Sequence, residues 1–192
     1  LVQRKKFELG EVSIREHQLR LRNYQSAIRK TPGAKHTYQM QIITSHAEFE
    51  QYLGKELGVS SWHTITQEQI NKFADATLDH QWIHVDEERA QNEGPFKATI
   101  AHGYLTLSLI PYLWKEIVDI QNLKMEINYG IESLRFAQAV TVNSKVRLKA
   151  KLASIINLRG VTKVNMAIEM EIEGQKKPAF SGEVVFLYHF IS

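Results

Sequence analysis

A carboxylate and an imidazole, Asp79 and His84, lie with four residues between them in the polar stretch Leu78-Asp79-His80-Gln81-Trp82-Ile83-His84. In a loop-like stretch just past a helix end, backbone turns can aim both side chains at one small volume. There the two groups can share a water and move its protons. The same spacing also suits structural roles, with Asp79 as a helix-end or turn residue and His84 as a hydrogen-bonded, half-buried ring. His80 and His84 show an i, i+4 spacing that suits a metal on a regular helix. The stretch reads as irregular and offers no obvious third ligand, so no metal site is expected.

A second candidate group is main-chain. Gly103 stands at the expected N-terminus of the most apolar helix of the chain, where unpaired N–H groups and the positive end of the helix dipole face outward. Lacking a β-carbon, it lets an oxygen approach closely; it also lets a helix start pack tightly against a neighbour, and both readings stay open on position alone. His102 beside it reads as structural rather than catalytic.

These groups need elements to hold them. From His46 to Leu57 the spacing of Phe49, Tyr52, Leu53 and Leu57 predicts an amphipathic helix ended at Gly58. A short extended piece, Trp62 to Ile65, leads to Thr66-Gln67-Glu68-Gln69, in which Thr66 caps the next helix and Gln69 reaches back to it. That helix buries Ile70, Phe73, Ala74 and Thr77 at helical spacing. After the polar stretch, a brief helix over 86–92 precedes a turn at Gly94-Pro95. From Ala101 to about Asp119, Leu105, Leu109, Ile110, Leu113, Trp114 and Ile117 belong to an apolar surface covering nearly the whole circumference, which predicts one long helix buried on most sides.

Strands follow: 124–129, 132–136, 145–156, 162–172 and 179–190, with turn signals at Asn157-Leu158-Arg159-Gly160 and Glu173-Gly174-Gln175. A long apolar helix and an antiparallel meander each supply the apolar surface the other must bury. The prediction is an α+β domain, a sheet curled around a helix, although periodicity leaves other α+β arrangements open. The domain is expected over 46–192, with 1–45 as a basic N-terminal extension of unassigned role, so removing the chain before about Thr44 is expected to leave a folded, active protein.

Composition narrows the classes. A chain of 192 residues without cysteine has no disulfide, thiol nucleophile or thiolate metal site, and fits a reducing compartment. The longest apolar run, Tyr104 to Trp114, is about half of the ~20 residues needed to span a bilayer, and no signal-like stretch follows Arg4, Lys5 and Lys6. A soluble cytoplasmic protein without membrane partners is expected. The net charge is only +3, with much of the basic excess before residue 40. No zinc spacing, RNA-binding signature or recognition-helix pattern accompanies it, so no nucleic-acid partner is expected.

Taken in order, Phe73-Ala74-Asp75-Ala76-Thr77-Leu78-Asp79-His80-Gln81-Trp82-Ile83-His84-Val85-Asp86, then Gly94-Pro95-Phe96 and Ile100-Ala101-His102-Gly103-Tyr104-Leu105, resemble the R-specific enoyl-CoA hydratase motif of the MaoC-like dehydratase family. The runs GVSSWHTITQEQINKFADATLDHQWIHVD, AHGYLTLSLIPYL and NYGIESLRF are similar to the branch named after nodulation protein N. The resemblance spans roughly Glu48 to the C-terminus. Two departures stand out: Gln81-Trp82 replaces the family's usual Asn-Pro, which bears on loop shape and substrate range, and Pro111 stands where some relatives carry a serine.

The resemblance implies a hot-dog fold, an antiparallel sheet wrapped around a long central α-helix, and reversible hydration of trans-2-enoyl thioesters carried on CoA or acyl-carrier protein. It implies Asp79 and His84 as the catalytic pair and Gly103 as the residue whose backbone N–H binds the thioester oxygen, with no metal or other cofactor. Hot-dog relatives commonly pair sheets edge to edge, so a homodimer is expected. A hot-dog thioesterase and a non-catalytic acyl-binding or regulatory subunit are the competing readings.

Overall fold

The second half of the chain alternates apolar and polar residues. In the computed structural model, which describes residues 40–191, that alternation becomes a sheet with one dry face. Strand β7 (Val161–Ile172) keeps the period of two throughout: Val164, Met166, Ile168 and Met170 are buried, while the residues between them are only partly so. β6 (Lys145–Leu158) does the same with Val146, Leu148, Ala150 and Leu152. The β6–β7 turn places Arg159 and Gly160 at φ 53° and 94°, as expected of a two-residue hairpin whose twist matches its strands. With β2 (Glu56–Val59), β5 (Leu123–Phe136) and β8 (Phe180–Phe190), the antiparallel order is β2-β6-β7-β8-β5, and β3 (His63–Thr64) pairs with β6 beside β2. The two strands expected over 124–136 are one strand, with register shifts at Asn128/Gly130 and Ile131/Ser133 near the expected break.

The dry face packs on the helix expected over 101–119, which the structure divides into α5 (Gly103–Ser108) and α6 (Ile110–Ile117). Pro111 explains the division. It has no N–H for the carbonyl four residues back, and the Leu109 N–H turns instead to Thr106 O at 3.3 Å. Ile110, Leu113, Trp114 and Ile117 are buried, and the one polar atom Trp114 brings into the core, its indole N–H, donates to the buried Tyr188 hydroxyl at 2.9 Å. The sheet-around-helix arrangement of a hot-dog α+β fold is present, with a broken central helix in place of a continuous one.

The helix expected over 46–57 is also shorter. α1 (His46–Glu50) is capped by Ser45, whose hydroxyl accepts from Glu48 N, and the Glu48 carboxylate returns to Thr44 N at 2.7 Å. Gly54, at φ +75°, then redirects the chain, and Leu57 is buried as a residue of β2.

The expected boundary at 45/46 moves as well. β1 (Gln41–Ile43) pairs in parallel with β4 (Val118–Ile120), and Ile43 is wholly buried, so the folded body takes in residues assigned to the extension. The residues before 40 lie outside those described. A truncation lacking residues 1–44 is therefore expected to melt below one lacking 1–39, because burial of Ile43 alone contributes about 1.5–3 kcal/mol. Parallel thermal melts check this.

Candidate active site

α2 (Gln67–Thr77) carries the chain to the site. The Thr66 hydroxyl caps it by accepting from Gln69 N at 3.2 Å, but the Gln69 side chain bonds to His63 Nε2 rather than returning to the cap. Ile70 and Ala74 bury its inner face; Phe73 is half-buried and Thr77 exposed. Leu78 ends the helix at φ 62° with its side chain exposed, a left-handed conformation unusual for leucine. The turn delivers Asp79 to the surface side of the site. Next comes the short α3 (Trp82–Val85), with His84 in its last turn. Asp86 caps α4 (Glu87–Glu93) by accepting from Arg89 N at 2.9 Å.

His84 is only 7 % exposed. Its Nδ1 lies 2.6 Å from Ile100 O; a carbonyl only accepts, so Nδ1 carries the hydrogen and Nε2 keeps a lone pair. Burial pushes the His84 pKa below its ordinary value, outweighing the bond to Ile100, which raises it; His102 adds to the lowering and Asp79 opposes it. The main chain of His84 is held as well. Gln67 Nε2 donates to His84 O at 2.7 Å, and the buried Thr99 hydroxyl donates to Gln67 Oε1.

The structure brings Asp79 and His84 together, with the buried His102 as a third member: one ligand-type atom from each lies within 4.8 Å of the others. It does not bring in His80, whose Nε2 bonds to Asp75 at the surface. His102 Nε2 donates to Asp79 O at 2.9 Å, and its ring stacks on His84 with centroids 3.7 Å apart and planes 24° apart. An imidazole binds a metal in its own plane at about 2.0–2.1 Å. Two nearly parallel planes at this separation do not meet within that distance, so the pair does not fit one shared ion.

Gly103 opens α5, so its N–H has no partner one turn earlier in that helix. Gly103 and His84 line a common cleft of about 470 Å³ with Tyr104, Phe136, Gln138 and Val140. A β-carbon on Gly103 would stand 2.9 Å from the Phe136 ring. The site therefore offers a carboxylate and an imidazole lone pair beside each other, and a helix-start N–H in the same cleft as the imidazole. Sequence reasoning missed the supports: Gln67 reads there only as part of a helix start, Thr99 and Phe136 are too distant in the chain to be linked to the site, and His102 reads as structural.

The depressed His84 pKa carries a testable sign. As pH falls through the ordinary value of 6.5, an unfolded chain takes up a proton that folded His84 refuses, and stability declines until the folded pKa is passed. The His84→Ala variant lacks this contribution. Its melting temperature is expected to fall less steeply than the wild type's below pH 6.5, as melts across a pH series will show.

A family model described as "MaoC like domain" matches residues 48–173. The chain is 43% identical over 150 residues to 3-hydroxyacyl-thioester dehydratase Z of Mycobacterium tuberculosis, covering 78% of this chain and 99% of that one. It is 40% identical over 149 residues to nodulation protein N of Rhizobium leguminosarum bv. viciae, with coverage of 76% and 92%. Among solved structures, R-hydratase PhaJ1 from Pseudomonas aeruginosa superposes with a TM-score of 0.62 at 22% identity, over 76% of this chain and 86% of that one. A monoamine oxidase regulatory protein from Archaeoglobus gives 0.64 at 19% identity, over 79% and 99%. The two structural likenesses bear on the fold alone, which is the hot-dog arrangement.

Proposed function

Because the chain belongs to the MaoC-like dehydratase family, we propose that it is an R-specific enoyl-thioester hydratase, reversibly adding water across the Cα–Cβ double bond of trans-2-enoyl thioesters. The observation that carries this reading is that the Asp79 carboxylate and the His84 imidazole each bring an atom within 4.8 Å of the other, close enough for one water to bridge them. Support from relatives comes from the 43% identity to a 3-hydroxyacyl-thioester dehydratase over nearly its whole length.

In this mechanism the water sits between Asp79 and His84 Nε2. Asp79 takes one proton, the water oxygen bonds to Cβ, and the π electrons move onto the thioester carbonyl, whose developing negative charge the Gly103 N–H stabilises. The enolate then collapses and Cα takes a proton. The Nδ1 hydrogen of His84 is held by Ile100 O, so the proton reaching Cα is the one that Asp79 took from the water, with His84 assisting its delivery. Atoms balance: one hydrogen goes to Cα and hydroxyl to Cβ. No metal or other cofactor enters these steps.

A crotonyl-CoA hydration assay with chiral analysis tests reaction class and stereochemistry together. Loss of enoyl absorbance with an intact thioester and an R-3-hydroxyacyl product supports the reading. Release of free thiol without hydration points to a thioesterase, and binding without turnover points to an acyl-binding subunit. The carrier is CoA or acyl-carrier protein, and the setting is cytoplasmic.

The working form is proposed to be a homodimer. β5 ends the sheet and, among the described residues, pairs only with β8, while Met125, Tyr129 and Ile131 along it are about half exposed. A long apolar edge of this kind favours pairing with another copy. Light scattering should return about twice the 22.2 kDa chain mass, and Ile131→Lys should weaken the association. A monomer with full activity at dilute concentration would count against it.

A further inference from the structure

One buried titratable ring has no part in the chemistry above. His102 is 3 % exposed, and its Nδ1 is buried without a hydrogen-bond partner. A buried polar atom left unpaired costs about 1–3 kcal/mol, so an apolar side chain would serve packing alone better. The helix start does not use the ring either: His102 precedes α5 and makes no side-chain cap there.

What the ring touches is the water site. One contact is the stack on His84 at 3.7 Å, and Phe73 packs against it at 5.0 Å between centroids. Its Nε2–H ties the main chain of the exposed Asp79 to the residue before α5, and the Asp79 carboxylate comes within 3.9 Å of the same nitrogen. The next residue in the chain is Gly103. His102 is thus in contact with both Asp79 and His84 and is covalently joined to the proposed oxyanion donor.

We propose that His102 is a positioning residue of the hydration site, holding the His84 ring by stacking and the Asp79 main chain by its Nε2–H, so that both keep register with the Gly103 N–H. This inference rests on the hydratase reading. The titratable groups acting on His84 are Asp79, which raises its pKa, and His102, which lowers it. Burial is the largest influence on His84 and His102 stacks directly on it, so replacing His102 displaces the titration of His84.

Two full-length variants separate the contacts. His102→Phe keeps a ring beside His84 and loses the donor; His102→Gln keeps a donor and loses the ring. Each is expected to lower kcat for crotonyl-CoA hydration about tenfold or more, with KM changed by less than about threefold, because small misplacements of reacting groups cost turnover before binding. Melting temperatures should stay close to wild type, and ring-nitrogen NMR of His84 in His102→Phe should show its titration displaced. The proposal is overturned if both variants keep kcat within about twofold of wild type, if their losses of kcat track losses of melting temperature, or if the His84 titration does not move. A wild-type protein that hydrates no enoyl thioester defeats the hydratase reading instead, and the NMR titration then still reports whether His102 acts on His84.

Discussion

Asp79→Asn and His84→Ala are each expected to cut turnover of crotonyl-CoA by ~10²–10⁴-fold while altering KM far less. Asp79→Asn is the cleaner substitution. The carboxylate is exposed, and its main-chain carbonyl, which accepts from His102, is unchanged. The amide retains the shape and loses the basicity. His84→Ala removes a buried ring together with its bond to Ile100 and its stack on His102. Some loss of stability must accompany it, about 1–3 kcal/mol by analogy with other buried polar groups, so assays belong well below its melting temperature. If both residues act on one water, the double variant should be little slower than the poorer single one, because removing either partner already disables the shared step. Multiplying effects would mean two independent roles. Near-normal hydration by either variant would return that residue to a structural part.

Much of this site was legible in the chain because its parts are local. Asp79 and His84 lie within one short segment, and Gly103 sits at a helix start that the apolar run announces. The strands β6 and β7 were legible for a similar reason, since one face is dry over 146–152 and 162–172 and alternation reports it directly. The misread elements share a cause, a single residue overriding a pattern. Phe49, Tyr52, Leu53 and Leu57 keep helical spacing, yet Gly54 adopts a left-handed turn and Leu57 reaches the core from a strand. Pro111 breaks a helix whose apolar pattern continues through it. β1 escaped notice because three residues show no period, and its place depends on pairing with β4, far along the chain. The supports of His84 were hidden by the same distance: Gln67 and Thr99 join only where a helix start and a loop meet, and the stack of His102 on His84 is a tertiary contact.

Gly103→Ala is expected to fold and to lose about 10²-fold in kcat/KM, the scale on which a single oxyanion-hole donor acts. Gly103 is not among the glycines at positive φ, so alanine can adopt its main-chain conformation without strain. The added β-carbon would stand 2.9 to 3.1 Å from the near atoms of the Phe136 ring. That ring is 44% exposed and lines the same cleft, so it can yield at small cost. Two explanations of a loss then compete: the methyl group obstructs an oxygen approaching the N–H, or it merely displaces Phe136 across the cleft. Phe136→Ala separates them. If obstruction at the N–H is the cause, Gly103→Ala stays slow in the Phe136→Ala background, although the clash is gone. If packing is the cause, the double variant recovers to the rate of Phe136→Ala alone, and Gly103 is glycine for the sake of its aromatic neighbour rather than for the thioester oxygen.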